Sequence, residues 1–174
     1  MADFYQSQLE IPVHQQLEAH DLIASMTQSE MLSRSNERMT YYLKLAKLRL
    51  AAHPENIECS ASRNLTKQQL ASLLEGQYIK QAEPVLITGP TGIGKSWLAC
   101  AFVQNACRQG FSATYLRMPR LLHELAVSRG DGSYARLLAR LAKLDLLAID
   151  DWLLAALTDA ERAPWLEALA TRLA

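Results

Sequence analysis

The sequence contains 174 residues, of which 49% are hydrophobic and 21% are charged, and its formal net charge is zero. These values are typical of a globular chain with one sizeable core and an appendage, and they argue against a protein coated in positive potential. No run approaches about eighteen uninterrupted apolar residues and the start lacks a basic, apolar leader, so we expect a cytoplasmic protein without a membrane segment.

The first third of the chain is predicted to be helical. Residues 12–26 indicate a helix opened by a proline, and a capping-box pattern at 27–30 predicts a longer helix that runs to about Ala52. Residues 55–64 are polar and read as a linker.

A second domain is predicted to follow this linker, so that residues 1–61 form a helical N-terminal region and residues 62–174 form the domain. A capping-box pattern at 66–69 opens a short helix that closes at Gly76. Residues 84–88 are an apolar run that predicts a buried parallel strand.

A glycine-rich loop connects this strand to a helix over residues 96–109, which Gly110 ends. The loop has the pattern G-x-x-x-x-G-K-[ST], in which glycines let backbone N–H groups turn towards phosphates. Lys95 can reach the β and γ oxygens, and the Ser96 hydroxyl can ligate Mg²⁺. An ordinary glycine-rich turn is the alternative, but the strand–loop–helix order favours ATP and Mg²⁺. We assign to the nucleotide Gly89, Pro90, Thr91, Gly92, Ile93, Gly94, Lys95, Ser96 and Trp97.

The second half of the domain alternates strands and helices. Residues 112–118 predict a strand, 119–128 and 133–142 predict helices, and 144–149 predict another buried strand. A capping pattern at 158–161 predicts a last helix.

Two aspartates end the strand over 144–149, as in a Walker B strand. A carboxylate at the carboxyl end of a parallel strand can face the phosphate loop, so we assign Asp150, with Ser96, to Mg²⁺. Asp151 would orient the attacking water and, with Lys95, is our candidate catalytic residue. Alternatively, Asp151 is a solvated strand end or a helix cap.

The cysteines and histidines show no pattern of a metal centre or triad. Cys59 stands alone, and Cys100 and Cys107 lie seven residues apart, as core thiols on a helix do. We expect no disulfide and no metal cluster, and we assign no role to any histidine.

Two segments are rich in basic residues. Their charge and nearby aromatics suit contact with a nucleic-acid backbone, but a solvated helix face is the commoner explanation of such segments. The first segment contains Arg34, Arg38, Lys44, Lys47 and Arg49. The second contains Arg117, Arg120, Arg129, Arg136, Arg140 and Lys143.

The chain resembles the IstB-like ATP-binding proteins, which are transposition helpers of the AAA+ class related to the DnaC helicase loader. The resemblance implies an α/β fold, with a P-loop AAA+ parallel sheet flanked by helices after a helical N-terminal region. It also implies ATP hydrolysis, binding of double-stranded DNA, ATP-dependent homo-oligomers and stimulation of a transposase. The segments that carry it are 73–79, 89–96, 139–147 and 149–152.

In that family, a sensor strand lies between the strand before the loop and the Walker B strand, and arginines that complete a neighbour's site follow it. We find neither in the 174 residues, and we expect the two flanking strands to be left unpaired or forced together. Either outcome would shift Asp150 relative to Lys95, which would impair ATP turnover. A helicase loader, a hydrolysis-deficient ATP- and DNA-binding fragment, and a small-molecule P-loop kinase are the alternatives.

Overall fold

The computed structural model describes residues 5–7, 18–60 and 65–152. The chain divides into two compact units, residues 1–41 and residues 42–174. None of the helices in the described part of the chain is both long and apolar enough to cross a membrane. The functional boundary near residue 61 stays a prediction.

One helix, α1 (Ala19–Leu45), occupies the region in which the sequence predicts two. The predicted break at Thr27 is wrong because its hydroxyl donates to the Ile23 carbonyl, 2.8 Å away, inside the helix. The predicted end at Ala52 is also wrong. Lys47 adopts a positive φ of 52°, a left-handed conformation that stops a helix soon after Leu45. Residues 12–17 of the predicted first helix lie outside the described residues.

The capping box at residues 66–69 is confirmed, and it opens α2 (Lys67–Leu74). The Gln69 N–H donates to the Thr66 hydroxyl at 3.1 Å, and the Thr66 N–H donates to Gln69 Oε1 at 3.0 Å. Gly76 then takes a left-handed φ of 73° and separates α2 from the short α3 (Gln77–Lys80).

The predicted strand over residues 84–88 does not form. The segment is irregular, and the exposed fractions of Val85 and Leu86 are 42% and 82%. A strand needs a neighbour that pairs with its N–H and C=O groups, and the part of the chain that the structure describes contains only one pair of strands. Of our two expectations for this segment, unpaired or forced against the Walker B strand, the first is met.

The remaining elements agree with the sequence prediction to within two residues at each end. The last helix, which the capping pattern at 158–161 predicts, lies outside the described residues. The elements are α4 (Lys95–Arg108), β1 (Ala113–Arg117), α5 (Met118–Gly130), α6 (Tyr134–Ala142) and β2 (Leu146–Asp150).

Strands β1 and β2 pair in parallel, with Ala113 opposite Leu146 and Arg117 opposite Asp150. The Asp145 carboxylate fixes the start of the pair, because it accepts from both the backbone N–H and the hydroxyl of Ser112 at 2.7 Å. The protein is therefore an α/β protein with a parallel sheet flanked by helices, and the predicted fold class is confirmed.

Alternate residues of the two strands face two apolar clusters. One cluster joins α4 to β1 through Cys100, Val103, Cys107 and Tyr115, and the other joins β1 to α5 and α6. Cys100 and Cys107 are fully buried free thiols, as the sequence predicts, and burial raises the pKa of Cys107 to about 11. This packing fixes α4, and with it the glycine loop, against the sheet.

Positive φ angles in the glycine loop explain its composition. Gly92 and Gly94 have φ angles of 86° and 94°, in open space, and Gly89 has a φ of 148°. A Cβ atom at Gly89 would also lie 2.5 Å from Ile93 Cδ1. Other residues rarely adopt such angles, so the backbone itself requires glycine at these positions.

Gly94→Ala is expected to lower the free energy of unfolding by about 1–2 kcal/mol, because alanine is strained at a left-handed φ. Gly130→Ala is the matched control, since Gly130 lies at the end of α5 with open space and no positive φ. It is expected to cause no loss. Urea unfolding of both variants measures the difference, and equal stabilities would contradict the loop conformation.

Candidate nucleotide and metal site

The N-terminus of α4 provides an anion site at the end of the glycine loop. Gly94 is the residue before the helix, and its carbonyl accepts the first helical hydrogen bond from the Leu98 N–H at 2.9 Å. The backbone N–H groups of the first helical turn have no partner within the helix and carry partial positive charge. The loop therefore presents donors that suit phosphate oxygens.

Lys95 lies over the loop rather than away from it. Its Nζ atom donates to the carbonyl oxygens of Gly89 at 2.9 Å and Pro90 at 2.7 Å. These two bonds hold the ammonium group above the backbone that would surround a phosphate. A phosphate oxygen could replace either carbonyl, since it offers a stronger, charge-assisted bond.

The Asp150 carboxylate, at the end of β2, has two hydroxyl groups near it. Its Oδ2 atom accepts from the Tyr115 hydroxyl, and the Ser96 hydroxyl is close enough to help lower the pKa of this carboxylate. Partial burial alone would raise the pKa of Asp150, but the Tyr115 and Ser96 hydroxyls and the Asp151 backbone outweigh it, so the pKa lies below the usual value. The expected shift of Asp150 relative to Lys95 stays a prediction.

The convergence of Ser96 and Asp150 suits Mg²⁺. A hydroxyl and a carboxylate are the hard oxygen ligands that Mg²⁺ uses together with phosphates and waters. The described residues contain no group of three or more His, Cys, Asp or Glu that could hold a metal without such help. Ser96 and Asp150 supply two oxygens, so phosphate oxygens and waters would complete the octahedral shell of Mg²⁺.

Asp151 has a partner that the sequence did not predict. Its Oδ2 atom accepts from Nε of Arg117, and this hydrogen bond raises the pKa of the arginine. Asp151 also has a left-handed φ of 55°. Its carboxylate is thus held towards the end of β1.

The other predicted nucleotide residues divide between the loop surface and the core. Thr91 and Ile93 are exposed, with Ile93 52% accessible. Trp97 is half-buried and packs against the cluster that contains Cys100 and Val103. Trp97 therefore anchors α4 in this structure.

The two basic segments differ in how much of their charge is neutralised. In the second, Arg117 pairs with Asp151, and both Arg120 and Arg140 pair with Glu124. In the first, Arg34 pairs with Glu30 at 2.8 Å. Among the residues that the structure describes, Arg38 and Lys44 have no carboxylate partner, so the first segment retains more free positive charge.

Sequence reasoning missed the roles of Tyr115 and Arg117 at this site. The sequence analysis places Arg117 only in a basic segment. The residue also ends a strand that is parallel to the one ending at Asp150. Because the carboxyl ends of parallel strands lie at the same edge of a sheet, the strand ends alone indicate that Arg117 lies near Asp150. In the sequence, Tyr115 has the pattern of an ordinary aromatic residue of the core, so its contact with Asp150 could not be predicted.

Comparison with known proteins agrees with this geometry. The family model described as "IstB-like ATP binding protein" matches residues 1–174. A protein of insertion sequence IS1162 from Pseudomonas fluorescens, named as an ATP-binding protein, is 41% identical over 99% of this chain. Two insertion-sequence proteins of Sinorhizobium fredii, y4pL and y4uH, also named for ATP binding, are 39% and 43% identical over 91% and 75% of it.

The aligned segments span 75% of the IS1162 protein and 64% and 52% of the two Sinorhizobium proteins. A whole-chain family match and a relative above 40% identity agree with the phosphate loop and the strand that ends at Asp150. The chain belongs to the family of IstB-like ATP-binding proteins.

Proposed function

We propose that this chain binds ATP with Mg²⁺ at the glycine loop and serves as an ATP-binding helper of DNA transposition. In this proposal it binds double-stranded DNA through the N-terminal region, residues 1–61, and stimulates a transposase. The main support for the nucleotide site is that the Ser96 hydroxyl lies near the Asp150 carboxylate, beside the loop whose carbonyl oxygens bind Lys95. The insertion-sequence relatives support the transposition setting.

The residues divide the work of holding a triphosphate. The loop amides and the N-terminus of α4 would bind the β-phosphate, and Lys95 would exchange its carbonyl partners for β and γ oxygens. Ser96 and Asp150 would hold Mg²⁺, which neutralises charge on the same oxygens. Each of these groups would thus neutralise part of the negative charge of the triphosphate.

A binding protein without turnover is a second candidate, favoured by the contact between Arg117 and Asp151. A carboxylate that orients an attacking water needs a free oxygen near the γ-phosphate. The ion pair engages one oxygen of Asp151 with the guanidinium group. In this second candidate, ATP only tightens contact with DNA or with other copies of the chain.

Lys95→Ala is expected to weaken Mg·ATP binding by about 10- to 100-fold, because the variant cannot form charge-assisted hydrogen bonds to phosphate. Isothermal titration of Mg·ATP into the full chain measures the dissociation constant. Single-turnover assays on the same samples show whether bound ATP is hydrolysed, which separates the two candidates.

Lys143→Ala is the matched control, because it removes the same charge from an exposed residue that follows α6 rather than from the loop. It is expected to bind Mg·ATP as the unmodified chain does. An unmodified chain that gives no binding heat, or equal affinities for Lys95→Ala and the unmodified chain, would remove the proposed nucleotide site.

Neutralising Arg34, Arg38 and Lys44 with glutamine is expected to weaken binding to duplex DNA and to flatten its salt dependence. Each phosphate that the variant no longer neutralises reduces the slope of log K against log salt by about 0.9. Because Arg34 is already paired with Glu30, the slope is expected to change by about 2, through Arg38 and Lys44. Fluorescence anisotropy with a labelled duplex at several salt concentrations measures it.

The control for DNA binding is a triple variant of the second basic segment, with glutamine at Arg120, Arg140 and Lys143. Two of these cations are already paired with Glu124, so their loss is expected to leave the slope nearly unchanged. DNA binding that does not vary with salt, or a larger effect of this control, would contradict the role of the N-terminal region.

A further inference from the structure

Tyr115 combines a buried ring with a polar end that faces the candidate metal site. It lies in β1 with an exposed fraction of 3%, and its ring belongs to the apolar cluster that includes Cys100 and Val103. A buried tyrosine hydroxyl requires a hydrogen-bond partner. Its partner here is Oδ2 of Asp150.

The strand register explains why these two residues meet. Tyr115 lies opposite Ala148, and Arg117 lies opposite Asp150, so Tyr115 and Asp150 are diagonal neighbours on one face of the sheet. The length of the tyrosine side chain covers the extra distance of a diagonal pair. Its hydroxyl therefore reaches the carboxylate at the end of β2, although its backbone lies two residues before the end of β1.

Two hydroxyl groups thus act on the Asp150 carboxylate. The Tyr115 hydroxyl lies on a ring that cannot turn freely in the packed core, whereas the Ser96 hydroxyl belongs to the first turn of α4, beside the glycine loop. A carboxylate free of the tyrosine could rotate away from Ser96, and the two oxygen ligands would then no longer converge.

We propose that Tyr115 is a positioning residue, which holds the Asp150 carboxylate in the orientation that lets it share Mg²⁺ with Ser96. This role rests on the proposed function, because it concerns the metal that accompanies ATP. In this role Tyr115 acts through Asp150, to which its hydroxyl is bonded. Removal of its hydroxyl should weaken the contribution of Mg²⁺ to ATP binding more than it weakens the fold.

The variant Tyr115→Phe tests this role, because it keeps the buried ring and removes only the hydroxyl. The measured quantity is the ratio of ATP affinities with Mg²⁺ and with EDTA, obtained by isothermal titration of the full chain. This ratio is expected to fall about tenfold, as for other residues that support a metal ligand. A tyrosine that only fills the core would change stability and leave the ratio as it is.

Tyr134→Phe is the control, since its hydroxyl lies 3.4 Å from Arg129 in the α5–α6 region rather than beside Asp150. It is expected to keep the ratio of the unmodified chain. In Asp150→Ala, the ATP affinities with Mg²⁺ and with EDTA should be nearly equal. Adding Tyr115→Phe to this variant should not lower their ratio further. The proposal would be overturned if Tyr115→Phe kept the affinity ratio of the unmodified chain. It would also be overturned if the double variant had a lower ratio than Asp150→Ala alone.

Urea unfolding of the nucleotide-free variants separates this proposal from the proposed function. Tyr115→Phe and Asp150→Ala should be non-additive in stability if their side chains are bonded. An unmodified chain that binds no ATP would remove the proposed function, while coupled stabilities would still show the contact. Additive stabilities in a chain that binds Mg·ATP would overturn the positioning role alone.

Discussion

The parallel pairing of β1 with β2 is the constraint on which the candidate site depends. Its register brings Arg117 and Asp150 to the same end of the sheet, and the packing of α4 against β1 brings Ser96 to that end as well. Tyr115 and Asp150, 35 positions apart in sequence, thus meet because two short strands share one direction. A slip of one residue would turn Asp150 towards the opposite face, away from Ser96.

Both aspartates at the end of β2 are held by side chains of β1, but with different consequences. Asp150 accepts from a neutral hydroxyl, which leaves its negative charge available to a cation. Asp151 pairs with the guanidinium group of Arg117, which neutralises its charge. Side chains of β1 therefore determine the state of both carboxylates. Asp150 remains available to a cation, whereas Asp151 is already bound to an arginine.

Much of the fold follows from local sequence patterns. The capping box at Thr66, the glycine loop, α4 to α6 and both paired strands are predicted because each depends on nearby residues or on a clear apolar period. The errors arise where one local pattern fits two structures or where a strand needs a distant partner. Thr27 can cap a helix or bond within one, and residues 84–88 have the composition of a strand without a described neighbour to pair with. For the site, the sequence assigns Ser96 and Asp150 to one Mg²⁺, and this assignment stays a prediction. The Tyr115 and Arg117 contacts depend on strand register, which a single sequence does not specify.

The central claim is that Ser96 and Asp150, beside the loop that holds Lys95, form one metal and triphosphate site. A crystal structure of the chain grown with a non-hydrolysable ATP analogue and Mn²⁺ tests this most directly, through the anomalous signal of the metal. The account predicts one strong peak between the Ser96 hydroxyl and the Asp150 carboxylate, with the Lys95 ammonium moved from its carbonyl partners to phosphate oxygens. A metal peak elsewhere, or a bound nucleotide that leaves Ser96 and Asp150 without metal, would contradict it.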